Sequence, residues 1–517
     1  MKNIVIVGGG SAGWMTASYL SKHNPDVEIQ LIEDKDIPII GVGEATTPYL
    51  MRYFKDIGIE KESDWMPYVG ATYKNGVLYD NWDHIGSRFW HAFEVDENKH
   101  IYWNKKREEE NLNYQDYWTS TMFTGHLGMR DSGKWLADET GEVAIPYYHT
   151  KAWNGWPQHW AYNIDAWKFG DYLKNHVALP MGIKYRNNVR VEDLIIGDDG
   201  NVESLVTKDG EKITADLFID CTGFRRQLID RVAEKPFKSF EPYLTHNRAC
   251  VIRHPYLDPE TEMRPRTQTK ALSSGWMWNI PLYEQISNGY VFTSDYLSDD
   301  EALNEMRTTL GVDRTEDCDP HIVDIKTGYY PKSWSKNVVA VGLSSSFIEP
   351  LESTSLLATQ VASQRISKVL SGLMTVKRYN ESVNKDTQDF VDYISIGYYF
   401  SHRDDSPFWR DRSYGKTEIS DRMKQWVEQL KYELVPPEMT RWFVPSSWIS
   451  KAIGFGKFPD KSVDISKISD ATSKNRTEFR EVDQILAEKQ MKEVKNFKWQ
   501  HLLSQKEFLD KFRYASK

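Results

Sequence analysis

The chain has 517 residues, of which 40% are apolar and 27% are charged, and its formal net charge is −10. This composition is ordinary for a globular protein, and no apolar run reaches the roughly 18–20 residues that a membrane-spanning helix needs. Acidic and basic residues are interspersed, which argues against an extended nucleic-acid surface. The three cysteines have no CxxC spacing, so we expect neither a disulfide framework nor a metal site. Since the N-terminus lacks a signal-peptide pattern, the predicted location is the cytoplasm.

The first 35 residues predict a βαβ unit. An apolar strand at 3–7 leads into a glycine turn, a helical pattern covers 11–24, and a second strand covers 27–33. The turn has GxGxxG spacing, which lets the backbone approach a pyrophosphate, and a carboxylate twenty residues later can accept hydrogen bonds from a ribose. The motif predicts a dinucleotide site but does not by itself separate NAD from FAD. Its residues are Gly8, Gly10, Ser11, Ala12, Gly13 and Glu33.

Two later strands are predicted to complete the nucleotide-binding sheet. The segment 186–223 has the pattern of a β-meander that leads into the buried strand LFIDCTG, and NVVAVG at 337–342 is another buried strand. Each ends in glycine, and a helical pattern at 355–370 follows the second, an arrangement typical of flavoproteins. The predicted fold class is α/β, with a doubly wound, Rossmann-like FAD-binding domain of the flavin monooxygenase type.

Three regions are predicted to interleave along the chain. A discontinuous FAD-binding domain carries substrate-side insertions, and a charged, helix-forming tail, including 478–503, is expected to cover the substrate site. The predicted boundaries are 1–80, 150–240 and 325–375 for the FAD-binding domain, 81–149 and 241–324 for the insertions, and 376–517 for the C-terminal region. Asp165, just before a helical pattern, is predicted to be structural.

The stretch GWMWNIP at 275–281 places two large aromatic side chains on one face of a predicted strand. Trp276 and Trp278 point the same way because strand side chains alternate, and Pro281 ends the strand or marks an edge. Core packing is one explanation, since aromatic side chains bury large areas. A wall between two compartments is the other, and this stretch alone does not decide between them.

Four stretches together resemble the flavin-dependent halogenases of the tryptophan-halogenase type. They are GGGSAGW (8–14), GVGEATTP (41–48), GWMWNIP (275–281) and FIEPLEST (347–354). The resemblance implies a two-component enzyme that uses FADH2, O2 and chloride, bromide or iodide to halogenate a small electron-rich aromatic, an indole or a phenol. It also implies a separate NAD(P)H-dependent flavin reductase, with neither nucleic acid nor membrane as a partner, and it leaves a homo-oligomer open. The alternatives are a flavin-dependent aromatic hydroxylase and a non-enzymatic flavin-binding protein.

The resemblance assigns roles to a lysine and a glutamate. In the family, hypohalous acid travels from the flavin to a second site, and the paired Trp residues help to keep flavin and substrate apart. Lys74, in VGATYKNG, matches the lysine that hydrogen-bonds hypohalous acid or becomes a haloamine. Glu352 matches the glutamate that orients the electrophile or takes the proton of the arenium intermediate. Glu349 precedes a proline and is expected to be structural.

The remaining site residues also come from the resemblance. His91 and Phe93, in FWHAFEV, match a His-x-Phe strand that lines the aromatic pocket, and plain packing of these two side chains is the alternative. The backbone amides that follow Glu352 are expected near the halide. The predicted contacts are Gly43, Ala45, Gly342 and Leu351 for the cofactor, Thr354 and Ser355 for the halide, and His91, Phe93, Trp276, Trp278 and Ser353 for the substrate.

Two departures from the family pattern bear on specificity. Ser355 stands where the family has glycine, so the backbone geometry around the anion is expected to differ. The region 440–456 shows no tyrosine pair that would grip a free amino acid, and its candidate wall residues are Trp442, Phe443 and Trp448. We therefore expect a preference for bromide or iodide, or for an aromatic other than free tryptophan.

Overall fold

The computed structural model describes residues 2–37, 41–74, 76–93, 160–432, 436–457 and 505–514. Most of the first predicted insertion, from residue 94 on, and the tail segment 478–503 lie outside these residues, so the predicted domain boundaries stay a prediction. The chain divides into two compact units. Unit 1 comprises residues 1–71, 161–253 and 287–391, and unit 2 comprises residues 72–160, 254–286 and 392–517.

The strands are short, with between two and seven residues each. In chain order they are β1 Asn3–Val7, β2 Glu28–Ile32, β3 Gly43–Ala45, β4 Thr72–Lys74, β5 Gly76–Asp80, β6 Arg88–Ala92, β7 Ala161–Asp165, β8 Lys184–Arg186, β9 Val191–Ile196, β10 Val202–Thr207, β11 Lys212–Ile213, β12 Leu217–Asp220, β13 Lys238–Ser239, β14 Arg248–His254, β15 Thr267–Leu272, β16 Gly275–Pro281, β17 Ile286–Phe292, β18 His321–Asp324, β19 Gly328–Tyr329, β20 Trp334–Ser335, β21 Val338–Ala340 and β22 Ser346–Phe347.

The helices range from single turns to 25 residues. They are α1 Ser11–His23, α2 Tyr49–Asp56, α3 Ala166–Tyr172, α4 Ile229–Val232, α5 Pro259–Glu262, α6 Asp299–Leu310, α7 Val312–Thr315, α8 Thr354–Leu370, α9 Val376–Phe400, α10 Pro407–Arg412, α11 Asp421–Leu430, α12 Pro445–Gly454 and α13 Gln505–Phe512. Short 3₁₀ turns cover Glu62–Asp64, Gly223–Arg225, Gly342–Ser344 and Leu351–Ser353, and a π-helical segment covers Leu173–Ala178. No helix within the described ranges is both long and apolar enough to cross a membrane.

Unit 1 is built on a six-stranded sheet in the order β20-β21-β12-β1-β2-β8. The strands from β21 to β8 run parallel, and β20 pairs antiparallel with β21 at the edge. Parallel strands are covered on both faces, which explains why β1 and β12 are continuous apolar runs in the sequence. Helix α1 packs against α8, and the buried Ser363 hydroxyl donates to the Thr16 hydroxyl at 3.1 Å.

The predicted meander is present in unit 1 as the antiparallel sheet β11-β10-β9. It shares a hydrophobic core with the parallel sheet, because side chains of β9 and β10 pack with those of β1, β2 and β12. This core joins the two layers and holds the carboxyl ends of the parallel strands in place. Its members include Val5, Val7, Ile32, Val191, Leu194, Val202, Leu205, Phe218, Val338 and Ala340.

Asp165 lies at the junction between β7 and α3 in unit 1. Its carboxylate accepts from the backbone N–H groups of Trp167 and Lys168 at 3.0 and 3.1 Å, which caps the helix. Its second oxygen pairs with the Arg253 guanidinium at 2.8 Å. The structural role predicted for Asp165 is confirmed, and the cap explains why the helix begins at Ala166.

Unit 2 contains a sheet whose strands follow in the order β16-β15-β5-β6. β15 pairs antiparallel with β16 and parallel with β5, and β5 pairs antiparallel with β6. The Trp-rich stretch forms the whole of β16, with Pro281 as its last residue. Helix α12 packs against β6, and α13 packs against β4 and α5. The sheet thus places the Trp-rich strand and the His91 strand in the same layer.

Candidate active site

The glycine turn after β1 has room for backbone only. Gly8 has φ +113°, and a Cβ there would collide with the backbone carbonyl of Cys221. A Cβ at Gly13 would collide with the carbonyl oxygen of Gly8, so the turn and the first turn of α1 are in direct backbone contact. The Gly8 N–H donates to the Ile32 carbonyl at 2.9 Å, which ties the turn to the end of β2. This is the compact turn that a pyrophosphate site requires.

The N-terminus of α1 offers hydrogen-bond donors to an anion. Its N-cap is Gly10, which provides no capping side chain, and its first turn contains no acidic residue. The Ser11 hydroxyl donates to the Ala166 carbonyl at 3.0 Å and so points away from the first-turn amides. A helix N-terminus with these features attracts phosphate through its backbone N–H groups and its dipole.

Glu33 lies where the sequence places it, directly after β2. Its carboxylate accepts from the Tyr185 hydroxyl and lies against Gly9, where an added Cβ would occupy the position of the carboxylate itself. The Glu33 backbone is held by the Arg186 carbonyl and the Val189 N–H, both at 3.0 Å. The carboxylate is therefore fixed beside the glycine turn, as recognition of a ribose requires.

Asp220, at the end of β12, is a residue that the sequence argument missed. Its buried carboxylate accepts hydrogen bonds from the Thr222 backbone N–H and hydroxyl, at 2.9 and 2.7 Å. It also accepts from the Leu228 and Ile229 N–H groups at 2.8 and 2.9 Å. The Ser344 hydroxyl donates to it at 3.1 Å. It therefore joins the loops that follow β12 and β21. An acidic residue directly after a buried parallel strand was the available signal, because such strands end at the ligand-binding edge of the sheet.

Gly342 brings the second of these loops to the first turn of α1. It has φ +67°, and an added Cβ would lie 2.7 Å from the Ala12 Cβ. The glycine turn, Glu33 and the Gly342 loop therefore lie together at the carboxyl edge of the sheet. The residues fit a dinucleotide, since they supply anion donors, a carboxylate for ribose, and glycines at the points of closest approach.

Substitutions at Gly10 and Gly13 are expected to have different effects. Gly10 has φ −76° and ψ −177°, which any residue can adopt, so Gly10→Val should keep the fold and lose FAD binding. Gly13→Ala meets the Gly8 carbonyl and should also destabilise the protein, by about 1–3 kcal/mol. Fluorescence titration with FAD and thermal unfolding measure the two effects separately. Undiminished FAD affinity in Gly10→Val would remove this turn from the cofactor site.

Strand β3 carries the GVGEATTP stretch and lies beside the turn Leu351–Ser353. The Gly43 N–H donates to the buried Ser287 hydroxyl at 3.0 Å, and β3 pairs antiparallel with β7, with Ala45 opposite Asn163. Gly43 and Ala45, predicted cofactor contacts, are thus fixed within the same unit as the glycine turn. Glu44 lies between these two residues in β3. Burial raises the pKa of its carboxyl to about 7.

The shifted pKa of Glu44 predicts a pH dependence of apoprotein stability. A carboxyl with a folded pKa near 7 and an ordinary value of 4.5 holds its proton more tightly in the folded state. The free energy of unfolding should therefore fall as pH rises from about 4.5 to 7, and the loss should persist above 7. Glu44→Gln should remove this loss and stabilise the apoprotein by about 1–2 kcal/mol at pH 8, allowing for the exposed part of the side chain. Denaturant unfolding at pH 5 and pH 8 tests this, and equal effects at both pH values would contradict it.

The FIEPLEST stretch contains two glutamates with different environments. Glu349 is fully buried and pairs with Nδ1 of the equally buried His246 at 3.1 Å, a partner that the sequence argument missed. Glu352 is 4% exposed and lies in the tight turn before α8. The buried His246 partner supports the structural role expected for Glu349. Glu352 is the glutamate that lies in the turn before α8.

Glu352 and Ser353 are two consecutive residues with strained backbone. Their φ values are +67° and +61°, a left-handed conformation that costs non-glycine residues about 1–3 kcal/mol each and recurs at functional sites. Leu351, just before them, is fully buried and anchors the turn. Helix α8 then starts at Thr354, and the Ser353 side chain does not cap it. The N-terminal amides of α8 are thereby presented to an anion.

Ser355 does not have a backbone conformation that requires glycine. Ser355 lies in the first turn of α8 and is not among the residues with positive φ. Serine adopts helical backbone at little cost, so the exchange of glycine for serine needs no change in the direction of the amides. The left-handed residues at this site are the two that precede the helix, and the preference for bromide or iodide stays a prediction.

Lys74 lies at the end of β4 in unit 2 and is 0% exposed. Its Nζ atom is 5.0 Å from the centroid of the Phe93 ring. Strand β4 is hydrogen-bonded to the Trp-rich strand β16, because the Thr72 hydroxyl donates to the Pro281 carbonyl at 2.6 Å. Surface exposure, the usual environment of lysine, is thus excluded for Lys74.

The predicted pocket residues His91 and Phe93 belong to a larger aromatic cluster. The centroids of their rings are 6.0 Å apart, and the His91 ring lies 5.4 Å from Tyr393 and 6.3 Å from Phe443. Tyr393 and Phe443 stack at 3.6 Å, and Trp448 meets Tyr393 edge-on at 4.9 Å. Phe443 and Trp448 were candidate wall residues, and this contact network contains both.

Tyr393 and Lys451 were missed by the sequence argument. Lys451 is fully buried, donates from Nζ to the Tyr393 carbonyl at 2.7 Å, and lies 3.8 Å from the centroid of the Tyr393 ring. Tyr393 stands in α9, far in sequence from the other members of the cluster. The only available signal was the aromatic-rich end of that helix, which a buried helix face explains equally well.

The paired Trp residues of β16 are both buried, at 1% and 5% exposure. The centroids of their rings are 6.2 Å apart, and Trp276 also lies 6.2 Å from Trp82. Among the described residues neither indole N–H, of Trp276 or of Trp278, has a hydrogen-bond acceptor. Buried donors normally find partners, but the indole N–H groups of the buried Trp65 and Trp334 also lack an acceptor among the described residues. The unpaired N–H groups therefore do not decide between core packing and a wall for the Trp pair.

Comparison with known proteins decides the family. The family model described as tryptophan halogenase matches residues 3–470. This chain belongs to the tryptophan halogenase family. The tryptophan 7-halogenase RebH of Lentzea aerocolonigenes is 30% identical to this halogenase over 483 residues, which cover 88% of this chain and 90% of RebH.

Solved structures of flavin-dependent halogenases match this halogenase over nearly the whole chain. BrvH, a flavin-dependent halogenase from Brevundimonas sp. BAL3, matches with a TM-score of 0.80 and 26% identity over 99% of both chains. The tryptophan 6-halogenase SttH from Streptomyces toxytricini matches with a TM-score of 0.81 and 26% identity over 100% of this chain and 99% of SttH. The predicted α/β fold class and the predicted flavin-dependent halogenase are both confirmed. The roles of individual residues stay predictions.

Proposed function

We propose that this halogenase transfers a halogen atom to an electron-rich aromatic of the indole or phenol type, with FAD in its reduced form, O2 and a halide as co-reactants. The observation that carries the proposal is the fully buried Lys74 beside Phe93, in the strand tied to the Trp-rich strand. Burial removes Lys74 from the solvated surface, which is the usual environment of lysine. The family membership and the dinucleotide fit of unit 1 supply the rest.

FAD is proposed to bind along the carboxyl edge of the unit 1 sheet. The N-terminal amides of α1 bind the pyrophosphate, and the Glu33 carboxylate accepts from the ribose. Gly43, Ala45, Gly342 and Leu351 lie along the remaining wall. When bound, the reduced flavin supplies, with O2 and halide, the hypohalous acid that the reaction consumes. A separate NAD(P)H-dependent flavin reductase is the proposed source of the reduced cofactor.

Lys74 and Glu352 are proposed to act on the electrophile. The Lys74 amine either donates a hydrogen bond to hypohalous acid or replaces its hydroxyl, giving a haloamine and water. The Glu352 carboxylate orients the electrophile and accepts the proton that the ring loses when aromaticity returns. The strained turn fixes the Glu352 backbone, which reduces the freedom that orientation would otherwise cost.

The halide and the substrate are proposed to bind at two further places. The amides of Thr354 and Ser355, at the N-terminus of α8, attract the halide. His91 and Phe93 hold the flat substrate by stacking, with Ser353 as a further contact. Trp276 and Trp278 are the proposed partition between cofactor and substrate, so that the aromatic meets the electrophile only at Lys74.

The aromatic cluster predicts the substrate class. Its described members are aromatic rings. Stacking on such rings discriminates only weakly among flat aromatic substrates, because it requires no particular polar group on the substrate. Simple indoles or phenols are therefore expected to have a higher kcat/KM than free tryptophan. Chloride, bromide and iodide should each be compared on these substrates. A clear preference for free tryptophan with a single ring position would contradict this expectation.

The test of the function combines the purified halogenase with a flavin reductase, NADH, O2 and each halide. Mass spectrometry of a panel of indoles and phenols should show a mass increase of one halogen in place of one hydrogen. Hydroxylated products without halogen would instead support the aromatic hydroxylase. Direct reduction of bound flavin by NADH in stopped-flow spectra, with no reductase present, would support the same alternative.

A further inference from the structure

The strand that carries Lys74 is held by the C-terminal helix of the same unit. Strand β4 is three residues long, and α13 packs against it although more than 400 residues separate the two in sequence. The Gln505 side-chain oxygen accepts from the Tyr73 backbone N–H at 3.0 Å. Tyr73 directly precedes Lys74, so this bond fixes the peptide that leads into the lysine.

Gln505 cannot move without breaking a second bond. Its side-chain nitrogen donates to the Met263 carbonyl at 2.9 Å, next to helix α5. Gln505 and Tyr73 are both buried, at 1% and 0% exposure. Both ends of the amide are thus engaged in a site shielded from water, where an unpaired polar partner is destabilising.

A third bond joins the far end of the helix to the same tyrosine. Arg513, one residue beyond α13, donates from Nε to the Tyr73 hydroxyl at 2.9 Å and is itself buried. The helix therefore contacts the backbone of Tyr73 at its first residue and the side chain of Tyr73 past its last. Two contacts at separated points fix both the position and the orientation of the strand end.

The C-terminal residues that make these contacts lie outside the stretch that the family model matches. The family match ends at residue 470, whereas Gln505 and Arg513 lie in the described stretch 505–514. Lys74 lies within the matched stretch. The residue before it, Tyr73, is therefore held by two residues that lie beyond the match. The family model therefore does not cover these two residues.

We propose that Gln505 and Arg513 are positioning residues that hold Lys74 in its reactive orientation through Tyr73. The inference rests on the proposed function, because it takes Lys74 as the residue that receives hypohalous acid. A displacement of about 1 Å from the productive geometry can cost about 10²-fold in rate. Loss of either contact should therefore reduce capture of hypohalous acid and leave its formation unchanged.

The experiment measures halogenated product formed per flavin reoxidised, together with the rate of flavin reoxidation, FAD affinity and thermal unfolding. Gln505→Met keeps the volume and removes both amide hydrogen bonds, and Arg513→Met removes the donor to Tyr73. Each is expected to lower the product yield per flavin about 10-fold or more, with flavin reoxidation unchanged. Arg513→Lys, which retains a donor, should recover part of the yield. Lys511→Ala, an exposed residue on the same helix, is the matched control and should behave as wild type.

A double-mutant cycle separates positioning from general stability. Arg513→Met should have little further effect in a Tyr73→Phe background, since the hydroxyl that it contacts is already absent. Additive losses, or a wild-type yield in both Gln505→Met and Arg513→Met, would overturn the proposal. If Gln505→Met does not fold, the Tyr73–Arg513 cycle alone decides. Lys74→Ala separates failure of the positioning inference from failure of the proposed function. A wild-type yield in that variant would refute the proposed role of Lys74 itself.

Discussion

Lys74→Ala is expected to abolish halogenation while flavin oxidation continues. The lysine is proposed to act after hypohalous acid forms, and the proposed flavin contacts all lie in unit 1, whereas Lys74 lies in unit 2. Loss of one positioned donor to the reacting species costs about 10²–10³-fold, and loss of an amine that forms a haloamine would cost more. Product measured by mass spectrometry, alongside flavin reoxidation followed by absorbance, separates the two processes.

An exposed lysine provides the control for Lys74→Ala. Lys377→Ala removes the same side chain from a solvent-exposed position in α9 and should leave both processes intact. Lys74→Arg keeps the positive charge but offers a guanidinium, a poor nucleophile in place of the amine. Activity in Lys74→Arg without activity in Lys74→Ala would assign a hydrogen-bonding role, and inactivity of both is expected for a haloamine. Product near the wild-type rate in Lys74→Ala would exclude the lysine from the mechanism.

The local patterns of the sequence predicted unit 1 well. The apolar run at 3–7 and the periodic pattern at 11–24 became β1 and α1 within one residue, because the strand is buried on both faces and the glycine turn separates the two elements sharply. The helix expected from 355 begins one residue earlier, at Thr354. Patterns of this kind are local, so one segment is sufficient to reveal them.

The site depends on contacts that local patterns do not contain. Tyr393 joins His91 across about 300 residues, and Gln505 joins Tyr73 across more than 400. The amide of Gln505 and the ring of Tyr393 have no feature in the sequence that distinguishes them from ordinary helix residues. At Ser355 the sequence has a conspicuous feature, the exchange of the family's glycine for serine, but the residue lies in regular helix. The residues with positive φ at this turn are Glu352 and Ser353, which no sequence pattern marked as strained.

Glu352→Gln is expected to slow halogenation by about 10²–10⁴-fold, the typical cost of removing one positioned acid–base group. The amide nearly matches the carboxylate in size but cannot accept the proton of the arenium intermediate. The Glu352 side chain is almost fully buried in the strained turn, so little change in overall stability is expected from an exchange of equal volume. The measurement is kcat with saturating substrate, alongside the temperature of thermal unfolding.

Glu349→Gln, three residues away, should give the reverse pattern. Glu349 and His246 are both buried and are paired at 3.1 Å, and breaking a buried pair of this kind typically destabilises a protein by about 3–5 kcal/mol. Its main effect should therefore be a lower unfolding temperature, with kcat per folded molecule close to that of the wild type. The two variants together show which glutamate is catalytic, because one should mainly lower kcat and the other should mainly lower the unfolding temperature. If Glu349→Gln instead lost catalysis with its stability intact, and Glu352→Gln kept full activity, the proton would go to the His246–Glu349 pair and not to the turn before α8.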